Sequence, residues 1–224
     1  MHLNCKLIFK KHVVTFFKPG IKVLEIGPLG NPSEYQKIIN DRSIEWQTLN
    51  LVNWTLDDMG NKDQLTVLTN DPYHYPVLDN TYDIVVSGSV MEHVEDIINW
   101  YQELKRIIKP GGYIITIVPV SWPYHEAPVD CWRIFPEGFK SIFSTVGLKK
   151  ITCIFESLEF ENCYPTLNKN NFEILPGRSI YWDKSKTQLN SQIRWNQLIR
   201  KIPFFRRLII PIEAAFDTIS IAQK

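Results

Sequence analysis

Two runs in the middle of the chain limit its fold more than any other feature. YDIVVSGSV (residues 82–90) and YIITIVPV (113–120) are apolar at most positions, so neither has a polar face to turn to water. Between them, EHVEDIINWYQELKRIIK sets Val94, Ile97, Ile98, Tyr101, Leu104, Ile107 and Ile108 at the i, i+3, i+4, i+7 spacing of one buried helix face. The helix is expected to stop at KPGG, where Lys109 suits a helix C-terminus and Pro110-Gly111-Gly112 cannot continue it. Strand, helix, strand, with both strands too apolar for an exposed face, predicts a mainly parallel sheet covered on both sides.

The flanking sequence extends that pattern. Val23, Leu24 and Ile26 read as a short buried strand, IEWQTLNL (44–51) and QLTVLT (64–69) as further strands, and LKKITCIFE (148–156) as another. FPEGFKSIFSTVG predicts a helix with Pro136 in its first turn and Gly147 just past its end. A helix over Leu3–Phe17 precedes the Pro19-Gly20 break, and the helix after the first strand opens at Pro32 or Ser33. Beyond Glu156 the alternation fades into turn signals such as NKNN and LPGRS. The expected fold is therefore α/β, a Rossmann-like doubly wound sheet. Its core would span residues 1–156, including an N-terminal helix within 1–18, and an irregular and helical extension would follow over 157–224.

Composition narrows the function class. Among 224 residues, 25 Lys and Arg stand against 24 Asp and Glu, a net charge of +1, so no global basicity points to nucleic acid. Cys5, Cys131, Cys153 and Cys163 form neither a CxxC pair nor a Cys/His ligand cluster, which predicts free thiols in a reducing compartment. The N-terminal stretch carries lysines and a histidine within its apolar run and makes a poor signal peptide, and no apolar run approaches the roughly 20 residues of a membrane span. A cytoplasmic protein is expected.

KVLEIGPLGNPSEY (22–35) is the stretch that a packed core does not require. An apolar run ends in Glu25 and breaks into a turn holding Gly27, Pro28 and Gly30 before turning helical. In a doubly wound sheet the first strand-to-helix turn is where a missing Cβ lets a ligand approach the main chain. A tight turn with no ligand is the competing reading, because Gly-x-x-Gly alone is a weak motif. Taken in order with NDPYHYPVLDNTYDIVVSGSVMEHVED and ELKRIIKPGGYIITIVP, however, VLEIGPLGNP resembles the class I S-adenosylmethionine-dependent methyltransferases over residues 18–150. The closer likeness is to their small-molecule branch, with Glu-His after the fourth strand.

That resemblance implies roles. The Gly27–Gly30 backbone would lie against the methionine portion of S-adenosylmethionine, with Glu25 orienting the turn or the ammonium group. Asn50 matches the acid that grips the ribose hydroxyls, a departure, since an amide offers one acceptor oxygen where a carboxylate offers two; Asp57 and Asp58 lie downstream as the alternative register. Leu29 is a second departure, where many members carry glycine. Asp71 matches the acid that contacts the adenine amino group, and Ser87, Gly88 and Ser89 would border the cofactor from the other side.

The acceptor is expected at PVSWPYHEAPVDCWRIFPEGF, a long polar-aromatic segment after the fifth strand whose His-x-x-Pro-x-Asp-x-x-Arg pattern resembles methyltransferases of bacterial sugar and surface-polysaccharide biosynthesis. His125 is the candidate general base, with Asp130 and Arg133 binding acceptor or orienting His125, and Trp122, Tyr124 and Trp132 walling the pocket. The competing reading is a lid pinned by an Asp130–Arg133 ion pair. His93, after Glu92, is the alternative base or a structural residue. No metal is expected, since His125-Glu126 has no second ligand pair at a recognisable spacing.

QIRWNQLIRKIPFFRRLII (192–210) carries five Arg and Lys and no acid. It reads as a helix packed on the sheet edge, or as a peripheral membrane or homodimer contact. The function expected overall is methyl transfer from S-adenosylmethionine to a small acceptor, an oxygen of a sugar or surface-glycan precursor. The alternatives are a cofactor-binding scaffold without turnover and a nicotinamide-dependent oxidoreductase on the same sheet.

Overall fold

The computed structural model describes residues 2–28, 30–51, 67–125, 129–159, 174–176, 186–208 and 212–224. In chain order the elements are α1 (Leu3–His12), β1 (Lys22–Ile26), α2 (Glu34–Ile39), β2 (Glu45–Leu51), β3 (Val67–Thr69), β4 (Tyr82–Gly88), α3 (Ile97–Ile107), β5 (Ile108–Pro119), α4 (Pro136–Val146) and β6 (Lys149–Glu156). They continue with β7 (Ile174–Pro176), α5 (Lys186–Arg200), β8 (Ile212–Ala214) and β9 (Asp217–Gln223). Seven strands form one sheet in the order β3-β2-β1-β4-β5-β9-β6, and β7 and β8 pair separately. Strands β1 to β5 run parallel, whereas β9 is antiparallel to both β5 and β6.

The all-apolar strands occupy the centre because both their faces are covered. In β4, Ile84 and Val86 join Cys5, Ile8, Phe9 and Tyr35 in the layer under α1 and α2, while Val85 joins Tyr101, Leu104, Phe139 and Phe143 under α3 and α4. In β5, Ile115 and Ile117 face the first layer, and Ile114 and Val118 the second. That alternation is the period-two geometry of a strand with no wet side. Each fully buried Leu, Ile or Phe contributes about 1.5–3 kcal/mol of transfer free energy.

Helix ends follow local chemistry. Ser33 caps α2 by accepting the Gln36 N–H at 3.0 Å, and Asp96 caps α3 by accepting that of Asn99. Pro136 opens α4, and Gly147, at φ +69°, closes it.

Three expectations need correction. The helix between the central strands begins only at Ile97; Met91–His93 is a separate 3₁₀ turn, since the Asp96 side chain starts the helix at its own position. The helix does stop ahead of KPGG, at Ile107, but the next strand begins at Ile108 rather than Tyr113, so residues 109–112 enter β5, with Ile108 paired to Tyr82 before a register shift. Finally, β9 lies inside the core sheet rather than in an extension. Its polar residues hid it: Asp217, Thr218 and Ser220 are buried alongside Ile219 and Ile221. Cys5, Cys131 and Cys153 are free thiols, and Cys163 lies outside the described residues. No helix among the described residues is long and apolar enough to cross a membrane.

Candidate functional site

Strand order reverses between β1 and β4, and a cavity of about 190 Å³ opens there at the carboxyl ends of β1, β2 and β4. Ile26 and Gly27 form its β1 wall, Leu49 to Leu51 its β2 wall, and Ser89 and Val90 its β4 wall. Tyr73, Tyr75, Trp100 and His93 complete much of the rest. Most of this surface is apolar.

The turn after β1 is shaped as its sequence suggests, for a reason in the protein itself. Gly27 has φ +65°, and a Cβ there would fall 2.4 Å from Val90 Cγ2. Bare backbone is thus forced where the two cavity walls meet. Glu25 does not line the cavity. Its buried carboxyl accepts the Trp46 indole N–H at 3.0 Å and the Ser33 hydroxyl, tying the end of β1 to the cap of α2. Burial pushes that carboxyl up to about 7, against the pull of its two donors. Of the two roles expected for Glu25, the structure displays the one that orients the turn. Pro28 and Gly30 shape the turn without lining the cavity, and Leu29 lies outside the described residues.

Asn50 lines the cavity with its carbonyl oxygen accepting the Leu51 N–H at 3.0 Å, so the amide NH₂ is the group presented as donor. Asp57 and Asp58 lie outside the described residues. Asp71 does not reach the cavity. It accepts the Tyr73 N–H at 2.8 Å and so bends the chain to bring Pro72 and Tyr73 to the wall. Ser87 is buried behind the wall, and Gly88 serves packing: a Cβ there would sit 2.2 Å from the Tyr35 hydroxyl. Ser89 does line the cavity, at φ +55°, and its buried hydroxyl has no hydrogen-bond partner among the described residues. Sequence reasoning passed over Tyr73, Tyr75 and Trp100, whose signal was present in the aromatic pair of DPYHY; the Tyr75 hydroxyl accepts the Trp100 N–H at 2.7 Å.

The segment after β5 lies beside this cavity and is laced to the turn after β4. Cys131 N–H donates to the Glu92 carbonyl at 2.7 Å, His93 Nδ1 to the Val129 carbonyl at 2.6 Å, and Trp132 Nε1 to the Val94 carbonyl at 2.7 Å. Asp130 is the hub. It takes both arms of the Arg133 guanidinium at 2.5 and 2.7 Å and the His125 backbone N–H at 2.9 Å. Burial alone would raise its carboxyl, but Arg133 and that N–H hold it below the usual range. Arg133 also reaches the Trp122 and Pro123 carbonyls, so the ion pair pins the segment while carrying charge to its surface. Trp122 stacks on His2, and Tyr124 is exposed. None of Trp122, Tyr124, His125, Asp130, Trp132 and Arg133 lines the cavity; Val129 does.

His93 bridges the two regions. It lines the cavity, and its ring meets that of His125 edge-on with centroids 4.9 Å apart. Burial lowers its basicity, against the Val129 carbonyl that raises it. Beneath it, Glu92 is 1 % exposed, and burial pushes its carboxyl up to about 8. Ligand atoms of Glu92, His93 and His125 all lie within 4.8 Å of one another. The expectation of no metal rested on sequence spacing around His125, and folding supplies neighbours that spacing did not reveal.

A family described as "Methyltransferase domain" matches residues 47–116. Among curated proteins, a demethylmenaquinone methyltransferase of Bacillus mycoides is 25% identical over 117 residues, 44% of this chain and 49% of that protein. An uncharacterized methyltransferase of Schizosaccharomyces pombe is 48% identical over 42 residues, 19% of this chain and 15% of that one. The chain thus spans about half the length of these relatives or less. A solved SAM-dependent methyltransferase from Archaeoglobus fulgidus superposes with a TM-score of 0.58 at 19% identity, covering 98% of this chain and 92% of that one, a likeness of fold. The family match runs from β2 into β5, which supply much of the cavity wall, so the chain carries a stretch similar to methyltransferase domains on a fold shared with a SAM-dependent methyltransferase.

Proposed function

We propose that the protein transfers a methyl group from S-adenosylmethionine to an oxygen of a small, polar acceptor, a sugar or surface-glycan precursor. The observation that carries the reading is the juxtaposition at His93: an apolar cavity at the strand-order reversal on one side, a charged and aromatic segment on the other. The residues present fit the cofactor. Ser89 offers a buried hydroxyl without a partner among the described residues, Asn50 offers an amide donor, and Gly27 leaves the main chain bare between them. Tyr73, Tyr75 and Leu49 supply apolar surface suited to a nucleobase.

When bound, S-adenosylmethionine supplies an electrophilic methyl carbon on a sulfonium, so the chain's own work is positioning and activation of the acceptor. Holding two reacting groups in line is worth several kcal/mol of barrier. An acceptor held between the cavity and this segment would have the His93–His125 pair to take its proton, and Asp130, with Arg133, holds His125 in place. Arg133 and the exposed Tyr124 suit a hydroxyl-rich acceptor better than an apolar one.

The test is calorimetry with S-adenosylhomocysteine followed by methyl transfer to nucleotide-sugar acceptors. Binding with turnover supports the reading, binding without turnover on any acceptor favours a scaffold, and binding of NADH in its place favours an oxidoreductase. We further propose that Trp195, Leu198, Phe204 and Leu208, exposed beside Lys201, rest on an anionic lipid surface. Co-sedimentation with phosphatidylglycerol vesicles should fall in Leu198→Glu/Phe204→Glu, and equal sedimentation of the two forms removes that contact.

A further inference from the structure

We propose that Glu92, His93 and His125 form a binding site for one divalent cation of borderline softness, zinc being the type, between the cofactor cavity and the segment after β5. The inference deepens the methyl-transfer reading and rests on it only for the ion's use, not for its binding.

The first ground is composition and proximity. Two imidazoles and a carboxylate are the donor set of three-ligand catalytic zinc sites, with a fourth position left open. Their donor atoms gather within 4.8 Å, whereas the ligands of a tetrahedral ion at about 2.0–2.2 Å stand roughly 3.3–3.6 Å apart. Drawing the widest pair in by roughly 1–1.5 Å, a side-chain adjustment, closes the site. His125, the half-exposed member, has the freedom to make it.

The second ground is independent of the clustering. Both carboxyl oxygens of Glu92 are buried without a hydrogen-bond partner among the described residues, and the side chain is fully enclosed. Buried carboxyls are nearly always paired or hydrogen-bonded, so an orphan asks for a reason. A cation between Glu92 and the two rings supplies one.

The third ground lies behind the ligands. His93 donates Nδ1–H to the Val129 carbonyl at 2.6 Å, which sets the tautomer with its lone pair on Nε2, the nitrogen 3.8 Å from Glu92. His125 Nδ1 lies 3.1 Å from the Pro123 carbonyl and 3.3 Å from Asp130. Metal-binding histidines characteristically give their other ring nitrogen to a carbonyl or a carboxylate in this way. Asp130 and Arg133 then act as positioning residues for the site.

Such an ion would face the acceptor through its open position. Coordination lowers the pKa of a bound hydroxyl, so the acceptor's proton is released to solvent and its oxygen becomes the nucleophile at neutral pH. With the ion bound the rings serve the acceptor through it; without it the same pair is left to take the proton directly.

Cobalt(II) is the probe. The full chain, stripped with chelator and dialysed, should show a saturable visible absorption band at one equivalent of Co²⁺, displaced by Zn²⁺. Glu92→Gln and His125→Asn should each weaken binding at least tenfold, with circular dichroism confirming their fold. His125 sits at the surface, so His125→Asn keeps the test valid if Glu92→Gln fails to fold. No saturable band in the wild type, or unchanged affinity in both variants, overturns the proposal. S-adenosylhomocysteine binding measured on the same preparations separates the two readings. Nucleoside binding without a cobalt band removes the ion site alone, and a cobalt band without nucleoside binding keeps the site and removes the methyl-transfer reading.

Discussion

The two walls that meet at His93 are built on opposite principles. The cavity wall is mostly apolar, and the groups it turns toward a ligand around β1, β2 and β4 are a serine hydroxyl, an amide and bare backbone. The segment after β5 is organised around charge, with Asp130, Arg133 and two imidazoles in one network. A ligand that brings its own reactive centre needs shape from the protein, while an acceptor that must be activated needs charge. If so, substitutions on one wall should change binding of the nucleoside and those on the other should change turnover.

The largest effect should come from Gly27→Ala. A side chain at φ +65° costs about 1–3 kcal/mol in strain and, meeting Val90, displaces the turn that walls the cavity, so S-adenosylhomocysteine affinity should fall roughly a hundredfold by calorimetry. Retained affinity would mean that the nucleoside does not approach this turn. Next is Glu25, which supports the cavity wall from behind. Its folded carboxyl keeps its proton up to about pH 7, whereas 4.5 is the ordinary value. The folded state therefore binds more protons across that window, and stability falls as pH rises through it. Urea unfolding should show wild type losing on the order of 2–3 kcal/mol against Glu25→Gln between pH 4.5 and 8.

On the charged wall, Asp130→Asn frees Arg133 and the His125 backbone. Turnover should drop by tens of fold, up to about a hundredfold, with nucleoside affinity unchanged within about twofold. An equal loss of both would erase the division between the walls. The smallest change is Asn50→Asp, which keeps the bond to Leu51 and adds a charged acceptor. Nucleoside affinity should rise about three- to tenfold.

Much of this was legible before folding. The apolar runs announced the covered sheet, and the glycine turn announced the crevice, because both reflect local constraints on backbone and burial. What stayed hidden depends on distance in sequence. Gly88 looked like a ligand-facing glycine, yet its missing Cβ makes room for Tyr35. Glu92 and His125 become neighbours only because the segment after β5 folds back onto the turn after β4. The strand β9 read as tail because its buried polar residues imitate an exposed face.

The placement of β9 also governs how the molecule comes together in time. Among the described residues β6, complete at residue 156, pairs only with β9, whose residues 217–223 sit between it and β5. Until those residues arrive, β5 carries an open, apolar edge able to recruit a foreign strand. During synthesis the first five strands can assemble early while the far side of the sheet waits on late-emerging chain. Any interruption between residues 157 and 216 thereby acts on the half of the sheet that was already made.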